Sequence, residues 1–229
     1  MQLFFNKDTS SSFTLNREES RHIIKVLRKK ENDILHFTNG EGVLSITEII
    51  HPDLNKTRVK VLDRIRKKKD HNYYLHIAIA PTKNLSRFEW FLEKATEIGI
   101  DEITPIICDR SERKHIKSDR CDRILISAIK QSIRYYLPKL NKTVKFKDFI
   151  KKDHHIKRYI ANCKEKDKKL KSEKVGDNIL IVIGPEGDFS DPEIKTALKE
   201  GFESLSLHKN RLRTETAGIY TANTINLIS

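Results

Sequence analysis

Between Ile179 and Ala217 the chain passes twice through the same order: an apolar run, a polar loop, the start of a helix. The first run, Ile179-Leu-Ile-Val-Ile183, has five apolar residues in succession, as a strand buried on both faces of a parallel sheet requires. Gly184-Pro-Glu-Gly187 follows, its glycines bracketing a rigid pair, so a sharp turn with backbone close to a ligand is expected. Ser190 and Glu193 stand at capping-box spacing with Pro192 in the first turn, and a helix starts there. The second run is Leu205-Ser-Leu207, followed by a loop to Arg213 and a helix opening at Thr214-Glu-Thr-Ala217. Loops at the carboxyl ends of parallel strands are where such sheets bind small molecules. Two of them in one short stretch predict a pocket.

The chain upstream fits the same architecture. Tyr74–Ala80 and Glu102–Ile107 are expected strands, and Tyr159–Asn162 is a candidate for another. Ser86–Ile98 is an amphipathic helix with Phe88, Phe91, Leu92 and Ala95 inward, Trp90 on the packed side and Gly99 as its stop. A second long helix is expected over Arg120–Leu137, ending before Pro138. This alternation gives an α/β class with an open, mostly parallel sheet. The first ~70 residues instead show short strands and turns, around Ile34–Phe37, Val43–Ile46 and Thr57–Leu62, with Asn39-Gly40 as a tight hairpin signal. One helix interrupts them, Asn16–Leu27, with Ile23, Ile24 and Leu27 on one face and Arg21, Lys25 and Arg28 on the other. The charged stretch Arg64–Asp70 closes this module, so the expected domains are 1–70 and 71–229.

Composition bounds the partners. A net charge of +13 favours a polyanion such as nucleic acid, because each neutralised phosphate releases counterions. The 30 Lys against 15 Arg could also reflect compositional bias alone, and the lysine-dense Lys164–Lys174 segment suits a solvated loop. No apolar run approaches the roughly 18 residues of a membrane span, and Met1–Lys7 lacks the layout of a signal peptide. Cys108, Cys121 and Cys163 form neither a metal motif nor a disulfide framework, so the cytoplasm is the expected compartment and no metal is expected. His154-His155 has no ligand at metal spacing and is expected to be exposed.

Two segments carry a family resemblance: Gly184-Pro-Glu-Gly-Asp-Phe-Ser190 and Asn210-Arg-Leu-Arg-Thr-Glu-Thr-Ala-Gly218. They resemble the signature segments of the RsmE family, SPOUT-class methyltransferases that act on ring N3 of a uridine in small-subunit (16S) ribosomal RNA. Further matches follow in order over nearly the whole chain: Arg21-His22 with Val26-Leu-Arg28, Pro81–Asn84, Glu93–Gly99, Arg110–Glu112, and Gln131-Ser132 with Arg134 and Pro138. The departure that matters is Leu207-His208, where the family usually has Leu-Gly.

The resemblance implies a SPOUT-type sheet with a C-terminal trefoil knot, preceded by a small PUA-like β-barrel. It implies S-adenosylmethionine as cofactor, small-subunit rRNA or the assembled subunit as partner, and a homodimer. Cofactor contacts would come from Ile183, Gly184, Pro185, Glu186 and Gly187, and from Leu207, Asn210, Leu212, Thr216 and Ala217. RNA contacts would come from Arg21, His22, Lys25, Arg28, Lys83, Arg110, Arg134 and Arg211.

The chemistry needs a cation and a proton acceptor. Uridine N3 is a poor nucleophile until its proton leaves, and its departure puts negative charge on the flanking carbonyl oxygens. Arg213 is the first choice for the stabilising cation, with Arg211 behind it. Glu215 or Glu186 could accept the proton, although Glu215 also suits the first turn of a helix. The chain lacks the glycine patterns of dinucleotide and P-loop sites, so NAD and ATP are poorly supported. Two other classes stay open: a non-catalytic RNA-binding assembly protein, favoured by His208, and an enzyme acting on a small phosphorylated substrate.

Overall fold

The structure is a computed structural model, and it describes residues 1–152, 156–163, 170 and 178–228. The chain divides into two compact units, Met1–Lys69 with Ile129–Leu137, and Asp70–Ala128 with Pro138–Ser229. Apart from Leu170, the expected Lys164–Lys174 loop lies outside the described residues, as does His154-His155. No described helix is long and apolar enough to cross a membrane.

In the first unit, β1 (Leu3–Phe5), β2 (Ser12–Thr14), β3 (Ile34–Thr38), β4 (Val43–His51) and β5 (Arg58–Arg66) form one sheet, ordered β1-β3-β4-β5-β2. β1 runs parallel to β3 and the other pairs are antiparallel. Inward residues of these strands, among them Phe4, Phe13, Phe37 and Val59, pack with Leu15 and Ile23 into an apolar core. β5 runs on into the charged stretch expected to end the module. The expected two-residue hairpin is a longer connection. Positive φ falls on Gly40 (+77°) and Gly42 (+83°) rather than on Asn39. The Asn39 side chain instead accepts from the N–H groups of Glu41 (2.8 Å) and Val43 (3.1 Å), doing locally what a backbone turn would do.

The helix expected over Asn16–Leu27 is split. Asn16 caps α1 (Arg17–Arg21) through the Glu19 N–H. The chain then widens into a π-helical turn, His22–Val26, closed by Leu27 N–H to the His22 carbonyl at 2.9 Å. Ile23 stays in the core, but the helix ends before Arg28, which takes φ +55° and leaves the face assigned to it.

The second expected long helix, α3 (Ser118–Ser132), starts and stops earlier than predicted. Ile133 adopts φ +56° and the Arg134 N–H returns to the Ile129 carbonyl at 2.9 Å, a helix end that usually takes glycine. Without that glycine the sequence carries no stop signal until Pro138. Tyr135 and Leu137, themselves part of the first unit, then pair within it, through Gly42 N–H to Tyr135 carbonyl (2.9 Å) and Leu137 N–H to Gly40 carbonyl (2.8 Å).

The second unit holds β6 (Tyr74–Ile79), β7 (Glu102–Ile107), β8 (Lys139–Leu140), β9 (Val144–Lys145), β10 (Lys157–Ala161), β11 (Asn178–Ile183) and β12 (Glu203–Leu205). Their order is β12-β10-β11-β6-β7-β8, with β9 also on β7, and every pair is parallel. Ile179–Ile183 is buried throughout, as expected for an inner strand; each such side chain contributes roughly 1.5–3 kcal/mol on burial. The strand expected over Leu205–Leu207 ends at Leu205, which releases Ser206 and Leu207 into the following loop.

The helices of this unit are α2 (Leu85–Ile98), α4 (Phe146–Phe149), α5 (Asp191–Lys199), α6 (Thr214–Ile228) and most of α3. In α2, Phe88, Phe91, Leu92 and Ala95 are buried and Gly99 ends the helix at φ +127°. Trp90 was expected inward but is 45% exposed. It stands two residues from Phe88 and so falls nearly opposite it around the helix. α6 lies on α2 at Gly218, where a Cβ would come within 2.5 Å of the Phe91 ring.

Candidate cofactor site

The carboxyl ends of β10, β11 and β12 enclose a cavity of about 580 Å³. β10 supplies Ala161, Asn162 and Cys163, and the first loop supplies Ile183, Gly184, Pro185, Glu186 and Asp188. The second loop lines it continuously from Ser206 to Thr214, and Ala217 of α6 completes the wall. The two loops singled out in the sequence therefore face one space. A hydrogen bond from Thr214 Oγ1 to the Gly184 carbonyl (3.1 Å) ties them together.

The glycines of the first loop act differently from expectation. Neither Gly184 nor Gly187 has positive φ; the left-handed residue is Asp188, at φ +62°, whose N–H closes the turn on the Pro185 carbonyl at 2.9 Å. What the glycines provide is proximity. A Cβ at Gly184 would lie 3.1 Å from the Phe189 ring, and one at Gly187 would lie 3.3 Å from the Arg110 stem. Downstream the capping box forms as expected, Ser190 with Glu193, at the start of α5.

Two of the expected RNA contacts, Arg110 and Lys83, also brace this loop. The Arg110 guanidinium donates to the Gly187 carbonyl at 2.7 Å. The Asp109 N–H donates to Glu193 Oε1 at 2.9 Å, and Ser190 Oγ bonds Asp109 Oδ2 at 2.7 Å. The Lys83 N–H donates to Glu186 Oε1 at 2.9 Å, while its ammonium pairs with Glu112 at 2.7 Å on the surface. Arg110 and Lys83 are thus both tied to the loop after β11.

Of the expected cofactor contacts, Ile183, Gly184, Pro185, Glu186, Leu207, Asn210, Leu212 and Ala217 line the cavity, whereas Gly187 and Thr216 do not. Arg211 and Arg213 both line it and are exposed. Glu215 does not. Its side chain is 7% exposed in the first turn of α6, with Oε1 3.7 Å from Arg87 Nε. Glu215 Oε2 has no hydrogen-bond partner among the described residues. In the first unit, Arg21, Lys25 and Arg28 are exposed and Arg134 is half-buried. His22 sets its ring edge-on to Phe4, with centroids 6.3 Å apart.

Asn162, Cys163, Asp188, Ser206 and Thr214 also form the wall, beyond the contacts expected from the sequence. Asn162 and Cys163 were signalled only by their place after a candidate strand. The Cys163 thiol is pushed above its ordinary pKa by burial and by the Asp188 charge, with Arg211 opposing. His208, the departure from the family pattern, is not among the residues with positive φ. Its Nδ1 accepts from the Asn210 N–H at 3.1 Å and its ring meets Tyr220 edge-on, so the loop holds a side chain here without backbone strain.

Comparison with known proteins agrees with this geometry. A family model described as an RNA methyltransferase domain matches residues 69–226, and one described as an RNA methyltransferase PUA domain matches residues 15–62. The chain is 29% identical over 224 residues to ribosomal RNA small subunit methyltransferase E of Mesomycoplasma hyopneumoniae, covering 96% of each. It superposes on a Porphyromonas gingivalis protein described as a probable rRNA-methyltransferase with TM-score 0.93, at 38% identity over 100% of this chain and 98% of that one. It also superposes on the Legionella pneumophila protein Lpg2936, solved with bound SAM, with TM-score 0.89 and 26% identity over 99% and 97% of the two chains. The fold, the paired loops and these matches place the chain in the RsmE family of RNA methyltransferases.

Proposed function

We propose that this chain transfers a methyl group from S-adenosylmethionine to ring N3 of a uridine in small-subunit ribosomal RNA. The observation that carries the reading is the single cavity bounded by both signature loops and held by the Thr214–Gly184 bond. Its residues suit the cofactor. Ile183, Leu207, Leu212 and Ala217 offer apolar walls for an adenine, and turn backbone offers donors and acceptors for a ribose. Bound there, the cofactor would supply an electrophilic methyl group.

Arg213 is then the fixed cation for the charge that develops on the uracil oxygens as N3 loses its proton. Glu186, on the cavity wall, accepts that proton or orients the water that does. Glu215 is buried off the cavity and is better used in the first turn of α6, where the helix dipole favours its charge.

In the same reading residues 1–70 hold the RNA, with Arg21 and Lys25 exposed beside the π-helical turn, and residues 71–229 carry the chemistry. The relatives' name points to the small ribosomal subunit as the substrate's source, and a cytoplasmic homodimer with a knotted C-terminal segment completes the proposal. The test is methyl transfer by the purified chain to small-subunit rRNA, naked and assembled, from cells lacking the gene. Tight RNA binding without cofactor binding or transfer would favour the non-catalytic assembly protein instead.

A further inference from the structure

Asp188 lines the cavity from the first loop and Arg211 from the second. Asp188 holds φ +62°, a conformation that side chains seldom adopt and that active sites retain for a purpose. Its Oδ1 accepts from the Phe189 N–H at 2.8 Å and its Oδ2 from the Cys163 N–H at 3.2 Å. A carboxylate has about four acceptor positions, more than these two N–H groups occupy. Cys163, whose N–H is held by Asp188, lines the same cavity as Arg211, so an acidic and a basic side chain face one space. Glu186, the other carboxylate among the described lining residues, is bonded to the Lys83 N–H.

We propose that Asp188 and Arg211 receive the two charged ends of the cofactor's amino-acid arm, the ammonium on Asp188 and the carboxylate on Arg211. A zwitterion carries its charges one carbon apart and is matched by an acceptor and a donor that face the same space. Arginine's fork suits the carboxylate end. Arg211 is thereby a cofactor residue rather than an RNA contact, and Arg213 is left free for the uracil. The assignment rests on the cofactor reading above.

Calorimetry on the full chain separates the arm from the nucleoside. S-adenosylhomocysteine and 5′-methylthioadenosine share the thioether nucleoside, and only the first has the amino-acid arm. The wild-type protein should prefer S-adenosylhomocysteine by about tenfold or more. Arg211→Ala and Asp188→Gly, in which glycine keeps the left-handed backbone, should each lose about tenfold for S-adenosylhomocysteine and stay within about twofold for methylthioadenosine. Equal losses for both compounds would mean that the side chains only shape the loops, and would overturn the assignment. Unchanged S-adenosylhomocysteine affinity in both variants would overturn it as well. A wild-type chain that binds neither compound would remove the cofactor reading with it.

Discussion

Thr214 and Gly184 stand 30 residues apart in the chain and 3.1 Å apart across a buried hydrogen bond. That bond fastens the first residue of α6 to Gly184, directly after β11, and so joins the two cavity loops. Thr214→Val keeps the shape, removes the donor and deprives a buried carbonyl of its partner, at a cost of about 1–3 kcal/mol. The urea midpoint should fall and the affinity for S-adenosylmethionine should drop several-fold. An unchanged affinity in the folded variant would show that the loops hold their places without the bond.

The contact between α6 and α2 depends on Gly218. A Cβ there would sit 2.5 Å from the Phe91 ring, and Ile79 also closes in at 3.1 Å. Gly218→Ala should therefore destabilise the second unit by about 1–3 kcal/mol in urea unfolding. Combining it with Phe91→Leu should cost less than the sum of the two single changes, because the smaller side chain makes room.

Glu102 should shape the acid limb of stability. Burial alone would raise its pKa, but hydrogen bonds from Asn141 and Tyr74, the charge of His76 and a bond from Lys139 together hold it at about 2, against an ordinary 4.5. A carboxylate depressed in the folded state contributes stability that is complete above its unfolded pKa. That contribution is lost as pH falls from about 4.5 toward 2. Glu102→Gln should cost on the order of 2 kcal/mol at neutral pH and flatten the decline over that window, as measured by urea unfolding at a series of pH values.

The parts of the fold that follow from local pattern were legible in the sequence. The apolar run before Gly184 marked an inner strand, Ser190 and Glu193 marked a helix start, and the Phe88, Phe91, Leu92 stripe marked the buried face of α2. Three of the differences share one physical cause, a backbone conformation not announced by its usual residue. Ile133, Arg28 and Asp188 all take positive φ where glycine would have been the signal, so two helix ends and one turn were misplaced. The cavity was legible as two loops. Its third wall, Asn162 and Cys163, depends on β10 lying between β11 and β12, an order that no sequence period reveals. The charges of Lys83 and Arg110 were visible in the sequence, whereas their bonds to the loop after β11 were not.

If residues 1–70 hold the RNA, Arg21 and Arg28 matter for affinity alone. Replacing both by alanine should weaken RNA binding and reduce the salt slope by about one to two units. S-adenosylmethionine affinity should stay constant in the same protein. Because Arg28 lies past the helix end and Lys25 within the π-helical turn, Lys25→Ala with Arg21→Ala should weaken binding at least as much. Binding curves at several salt concentrations decide both points.

Arg213 is the residue on which the proposed chemistry turns. Arg213→Ala should bind RNA nearly normally and transfer methyl groups on the order of a hundredfold more slowly. The most direct measurement uses small subunits from cells lacking this gene. Incubated with the purified chain and S-adenosylmethionine, their rRNA is digested and its nucleosides are identified by mass spectrometry. The expected result is one uridine converted to N3-methyluridine by the wild-type chain and scarcely at all by Arg213→Ala. A methyl group on a ribose or on another base, or none, would contradict it.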